Sequence, residues 1–147
     1  MQPLPFVDQH SRPVDAPAAA VWRALLKELR EMGGTGPLAR ILGCDPLRGT
    51  AEFAGRPGDA VPGFRVDQAE PGSALVLRGR HRFANYSLTF RIDGRCLSAE
   101  THAEFPGFRG RLYRAMVISS GGHRLITRHL LRRIARAACR TPPTGGE

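Results

Sequence analysis

LVLRGRHRFANYSLTFRID, residues 75–93, alternates side-chain character with a period of two on both sides of a short break. Leu75, Leu77, Gly79, His81 and Phe83 fall on one side of an extended strand, and Arg78, Arg80 and Arg82 on the other. After Ala84-Asn85 the pattern resumes with Tyr86, Leu88, Phe90 and Ile92 on one side. Such alternation predicts a sheet with one face buried and one face in water. His81 is the exception, a titratable ring on the apolar side near a strand end. An apolar wall with a few polar groups at its rim is how small-molecule pockets are usually built.

Outward from this stretch the chain reads as an ordered series of elements. The first strand is expected over Phe6 to Val14. Asp15 then caps a helix with Pro17 in its first turn, where a missing N–H costs nothing. Val21, Trp22, Leu25, Leu26 and Leu29 recur at helical spacing through Met32, and Gly33-Gly34 ends the run. A short second helix is expected over Pro37 to Leu42. Strands follow at Gly49 to Ala54, Gly63 to Ala69, Ala74 to Arg82, Asn85 to Asp93 and Cys96 to Phe105. They are separated by the turn signals Arg56-Pro57-Gly58-Asp59, Glu70-Pro71-Gly72-Ser73 and Asp93-Gly94. The rest is helical. Leu112, Met116, His123, Ile126, Leu130 and Ile134 lie near one stripe, broken by Ser119-Ser120-Gly121-Gly122, because mid-helix glycines cost about 1 kcal/mol each. The last helix should run from His123 to about Cys139, and residues 141–147 should fray.

One domain of 147 residues is implied, residues 1–140 without the tail, and it is long enough for a core. No apolar run reaches the length of a membrane span. The start, MQPLPFVDQH, lacks the basic and apolar regions of a secretory signal. Cys44, Cys96 and Cys139 are odd in number and form no CxxC pair, which speaks against a zinc site or a disulfide framework. Reduced thiols point to the cytoplasm. Of the 22 basic residues 21 are Arg, a bias fitting a GC-rich bacterial genome. Residues 1–104 carry a net charge of +1, whereas residues 105–146 carry nine Arg and no Asp or Glu.

Consecutive hairpin-linked strands give an antiparallel sheet whose apolar face needs a cover, and the last helix has the matching stripe. The fold class is therefore α+β: a curved antiparallel sheet of six to seven strands around a long C-terminal helix, with two short helices after the first strand. This layout resembles the START-like, helix-grip superfamily, also called SRPBCC, which includes polyketide cyclases, plant pathogenesis-related proteins and lipid-transfer domains. VDAPAAAVWRALL, Val14 to Leu26, looks like its first strand and helix. GRHRFANYSLT, residues 79–89, is similar to the latch segment of plant abscisic acid receptors. His81, Arg82, Phe83, Asn85 and Tyr86 match it, with Phe83 where those receptors carry Leu. The receptors' gate would fall near Gly55 to Gly63, but AGRPGDAVPG lacks their Ser-Gly-Leu-Pro-Ala motif, so hormone gating is not carried over. The resemblance implies a deep cavity between sheet and C-terminal helix.

His81 and His123 are candidate catalytic residues, since a His pair on opposite cavity walls suits general acid–base work near neutral pH. The competing reading is that each satisfies backbone groups. Tyr86 and Tyr113 either orient a ligand or pack the core. Glu100, His102 and Glu104 face water if Ala99, Thr101, Ala103 and Phe105 face the core, and otherwise bring acid–base groups inside. Arg124, Arg128, Arg132, Arg136 and Arg140 share one helix face, either an anion surface or a solvated face with Arg near the helix C-terminus. No aromatic residues interleave with them, which argues against nucleic acid. There is no nucleophile elbow, phosphate loop, dinucleotide fingerprint or metal-ligand cluster, so no cofactor or metal is implied.

The reading is a cavity for a small apolar or aromatic molecule lined by Phe64, Leu77, His81, Phe83, Tyr86, Phe90, Met116 and His123, in a carrier, sensor or storage role. A cyclase- or dehydratase-type enzyme on the same fold is one alternative, and an electrostatic module using the Arg-rich helix is another.

Overall fold

The structure, a computed structural model, describes residues 4–31, 43–46, 49–117 and 121–140, without the side chains of Met116, Val117, Gly122, His123 and Arg140. Strand β1 (Phe6–Pro13) leads into helix α1 (Ala18–Glu31). Strands β2 (Ala60–Val61), β3 (Phe64–Glu70), β4 (Ala74–His81), β5 (Ala84–Asp93) and β6 (Cys96–Glu104) follow. Helices α2 (Gly107–Val117) and α3 (Gly122–Arg140) close the chain. The six strands form one antiparallel sheet in the order β1-β6-β5-β4-β3-β2.

The turn residues set the register. Gly72 has φ +78° and Ser73 N–H donates to Glu70 C=O, with Pro71 before them, as a type II turn requires. Gly94 has φ +58° at the first central position of the two-residue β5–β6 turn, whose twist suits a hairpin. Between β4 and β5 the turn is Arg82-Phe83, so β4 ends one residue earlier than expected and Phe83 sits at the hairpin tip. Register shifts in β1 between Phe6 and Asp8, and in β3 between Val66 and Gln68, bend the sheet.

One expected strand is absent. Gly49 to Ala54 is irregular and ends in a loop. The carboxylate of Asp59 accepts from the N–H groups of both Ala54 and Arg56. A side chain that captures backbone donors competes with a strand ladder, and here it wins. Only Thr50 reaches across, by one backbone bond to Ala60 and one through its hydroxyl. The expected helix over Pro37–Leu42, the end of the first helix at Met32 and the tail 141–147 lie outside the described residues. So do Ser119 and Ser120, but α2 stops at Val117 and α3 starts at Gly122, as the glycine pair required.

Leu75, Leu77, Leu88, Phe90, Ile92, Leu97 and Ala99 share the inner face by register. Helix α3 packs on this face against β1 and β6, and along α1. Its buried side runs through Thr127, Leu130, Leu131, Ile134, Ala135 and Ala138 and meets Val21, Leu25 and Leu29 of α1. Arg133 pairs with Glu28 at 3.0 Å and binds the two helices further, although its N–H is not aimed for a full hydrogen bond. Leu112 and Ile126 do not join this stripe. They are 57% and 65% exposed, because α2 is a separate helix and Ile126 lies off the Thr127–Leu131–Ile134–Ala138 line.

Gly79 marks the tightest approach in the sheet. A Cβ there would overlap the Gly63 carbonyl oxygen and stand 2.7 Å from the Tyr86 ring. Overpacking of this kind costs about 1–3 kcal/mol. Gly79→Ala is therefore expected to lower the urea midpoint by an amount in that range, and an unchanged midpoint would show that the β2–β3 corner yields freely.

Candidate functional site

One end of the sheet gathers aromatic rings from β3, β4, the β4–β5 turn, β5 and α2. His81 ends β4, Phe83 is in the turn, Tyr86 is the third residue of β5 and Phe64 opens β3. Tyr113 comes from α2, and its ring meets His81 edge-on at 4.9 Å and stacks on Phe83 at 5.3 Å and 16°. Tyr86 stands 5.5 Å from His81 and 5.2 Å from Phe64. Helix α2 reaches this close because Gly110 has no side chain: a Cβ there would be 2.7 Å from the Phe105 backbone and 3.0 Å from the Phe83 carbonyl. Edge and stacked geometries of this kind contribute about 0.5–1.5 kcal/mol per pair beyond burial.

The polar atoms within the cluster have distinct duties. Nδ1 of His81 accepts a hydrogen bond from the Phe83 N–H at 3.1 Å, which braces the turn. In a neutral imidazole that bond leaves the proton on Nε2 as a donor. Burial favours this neutral form and holds the His81 pKa below the usual imidazole value. Tyr86 is committed elsewhere. Its hydroxyl donates to the Gly63 carbonyl at 2.6 Å and locks the β2–β3 corner onto β5. Burial, then the neighbouring Cys44 thiol, push the Tyr86 hydroxyl pKa up, and burial does the same for Tyr113.

The other lining candidates are divided. Leu77 and Phe90 are fully buried within the packed core and touch no open space. The side chains of Met116 and His123 lie outside the described residues, so a His81–His123 pair stays an expectation. Glu100, His102 and Glu104 point to the outer face, where His102 pairs with Glu100 at 3.2 Å and Asn85 donates to Glu104. Leu97, Ala99, Thr101 and Ala103 take the inner face. Arg124, Arg128, Arg132 and Arg136 are exposed. Among the described residues no His/Cys/Asp/Glu cluster suits a metal ion, and no helix is long and apolar enough to cross a membrane.

Two grooves open elsewhere. One of about 400 Å³ lies among Arg23, Lys27 and Arg30 of α1, Phe53 and Ala137. One of about 270 Å³ lies on the outer sheet face, where Arg78 and Arg80 are paired with Asp67 and Asp45. Neither includes the aromatic cluster.

No family model matches the chain, nor does any curated protein by sequence. Solved structures do match in shape. Protein CV1439 from Chromobacterium violaceum has TM-score 0.56 at 18% identity, over 89% of this chain and 95% of that one. Protein MLL2253 from Mesorhizobium loti has TM-score 0.55 at 14% identity, over 92% and 98%. Ara h 8.0201 has TM-score 0.54 at 9% identity, over 91% and 97%. The chain has the helix-grip fold. Identities this low carry the fold and nothing finer.

The helix-grip sheet also holds a polar group absent from the sequence reading. Asp8 and His10 lie on the inner side of β1, their side chains 15% and 13% exposed, with Asp8 Oδ2 3.2 Å from His10 Nε2. By register Asp8 faces Thr101 and His10 faces Ala99. The period-two order Asp8, His10, Arg12 was the available signal. It was missed because polar alternate positions are ordinarily assigned to water.

His81 links this site to stability. Unfolded, the ring takes a proton near 6.5, and folded only at lower pH. Between those values the unfolded chain holds the extra proton, so stability present above the ordinary pKa is lost as pH falls. His81→Gln should reduce the fall in urea midpoint between about pH 7 and about pH 5. An identical fall in both proteins would place the burden on other groups.

Proposed function

We propose that this protein binds a small apolar or aromatic molecule at the β4–β5 turn end of the helix-grip fold, in a carrier, sensor or storage role. The observation that supports it most is the set of rings around neutral His81. Phe64, Phe83 and Tyr113 offer flat apolar contact, and the Nε2–H of His81 is a single oriented donor, to which no described residue hydrogen-bonds. A carbonyl or hydroxyl on an otherwise apolar ligand satisfies that donor, which is the usual division of labour in ligand pockets. Tyr86 is a wall and not a ligand partner, because its proton goes to Gly63. Met116 and His123 complete the proposed lining from the helical side.

The enzyme alternative asks for a second polar side chain hydrogen-bonded to His81. The described residues give His81 a backbone N–H instead, which favours binding over acid–base work at this ring. A second reading has its own support: Arg124, Arg128, Arg132 and Arg136 are exposed beside Leu125 and Ile126, which are 69% and 65% exposed. Such a face fits an anionic partner, and its retention on anionic lipid should then fall steeply with salt. Salt-independent retention removes that reading.

Native mass spectrometry of protein purified from its own host tests the first reading directly, by the mass of a co-purified molecule. His81→Ala should then weaken the affinity of that molecule about tenfold, or about 1.4 kcal/mol. Equal affinity in titration calorimetry would remove His81 from the pocket.

A further inference from the structure

Thr101 carries a buried hydroxyl with no hydrogen-bond partner among the described residues. The residue is 7% exposed and sits in the middle of β6 on the inner face. An unmade hydrogen bond at such a site is costly, and Val has the same shape without the hydroxyl. Something other than packing therefore favours Thr at this position.

The neighbours say what it serves. Thr101 lies between Asp8 of β1 and Leu88 of β5 in one cross-strand row. Residues directly opposite hold their Cβ atoms about 4.5–5.5 Å apart, so the Asp8 carboxylate and the Thr101 hydroxyl can share one small polar group. His10 is in the next row and is held by Asp8 at 3.2 Å. Ala99 and Ala103 flank Thr101 on the same face, and beside it Asp8 and His10 keep 15% and 13% of their side chains exposed. Helix α3 passes over β1 and β6, with Thr127 as a buried polar residue on its packed side.

We propose that Asp8 and Thr101, steadied by His10, form a hydrogen-bonding subsite for a hydroxyl group carried by the apolar ligand. This rests on the pocket reading above and names the ligand class more narrowly. An ionised carboxylate only accepts, whereas a threonine hydroxyl both donates and accepts. A ligand hydroxyl satisfies both, giving its proton to Asp8 and accepting from Thr101. A ketone or ether lacks the proton for Asp8, and a carboxylate is repelled by it. Thr101 is one strand and two residues from Tyr86, so the subsite lies roughly 8 Å from the aromatic cluster by ordinary strand spacings. A phenol on a two-ring skeleton is long enough to touch both.

The test uses 2-naphthol and 2-methylnaphthalene, which differ in the hydroxyl, titrated by fluorescence into the full chain and its variants. The wild type should bind 2-naphthol about tenfold more tightly. Thr101→Val should keep or raise the melting temperature, because it removes an unsatisfied buried hydroxyl, and should abolish the preference. Asp8→Asn should reduce the preference as well. His81→Ala should weaken both probes and still leave 2-naphthol the tighter of the two. Equal binding of the two probes by the wild type, or a preference that survives Thr101→Val, overturns the subsite while the pocket stands. Binding of neither probe overturns both.

Discussion

A sheet with one apolar face cannot stand alone in water, and the need to cover that face organises this molecule. Leu75, Leu77, Phe90, Leu97 and Ala99 have no exposed surface, so the inner face is sealed along its middle. Helix α3 supplies much of the seal through Leu131, Ile134 and Ala138. Burial of one large aliphatic or aromatic side chain is worth about 1.5–3 kcal/mol, and the facing surfaces hold more than a dozen such groups. Helix α1 is the counterweight, since its Val21, Leu25 and Leu29 press α3 against the sheet while Glu28 holds Arg133. Loss of any one of these contacts loosens the others, because all of them share α3.

The seal has an end. Past Thr127 the helix shows Leu125 and Ile126 to solvent, so its first turns run beyond the packed core. In the same direction the strands stop offering Leu and Phe and offer Gly79, His81 and Tyr86. Glycine at 79 is the hinge of this change. It admits the Gly63 carbonyl and the Tyr86 ring to one place, and that contact draws the β2–β3 corner over the sheet. Helix α2 then brings Tyr113 from the far side. The aromatic cluster is thus what remains where the aliphatic core runs out, and its rings are only half-buried.

Much of this was legible in the residues. Period-two alternation located β3 to β6 within about two residues, since turn chemistry at Pro71-Gly72 and Asp93-Gly94 leaves little freedom. The glycine pair at 121–122 separated the last two helices correctly, because backbone entropy is local and needs no partner. What depends on distant contacts was not legible. Gly49 to Ala54 has strand composition, yet the Asp59 side chain takes the backbone donors of Ala54 and, just beyond it, Arg56, and only the folded loop brings them together. His81 was picked out as an odd residue on an apolar side. Its tautomer followed only from the Phe83 N–H placed by the turn. Tyr113 was weighed both as a ligand-orienting and as a core residue, and its place against His81 and Phe83 depends on Gly110, which lets α2 approach.

The strand β1 makes the sharper point. The register shift between Phe6 and Asp8 breaks its alternation, and both of its sides are polar, with Asp8 and His10 on one and Gln9 and Ser11 on the other. Phe6 is 59% exposed, while Asp8 and His10 turn inward. A sequence rule that sends polar residues to water cannot choose a face for this strand. Pairing with β6 makes the choice, because the register that matches Asp8 to Thr101 fixes which face each residue takes. Stability alone gives no reason to keep a carboxylate, an imidazole and an unpartnered hydroxyl on the inner side of an otherwise aliphatic sheet. Positions where local preference and global fold disagree are where natural proteins place function. By that argument the inner face of β1 and β6 is a fitting place for the proposed hydroxyl subsite, beside the proposed aromatic pocket.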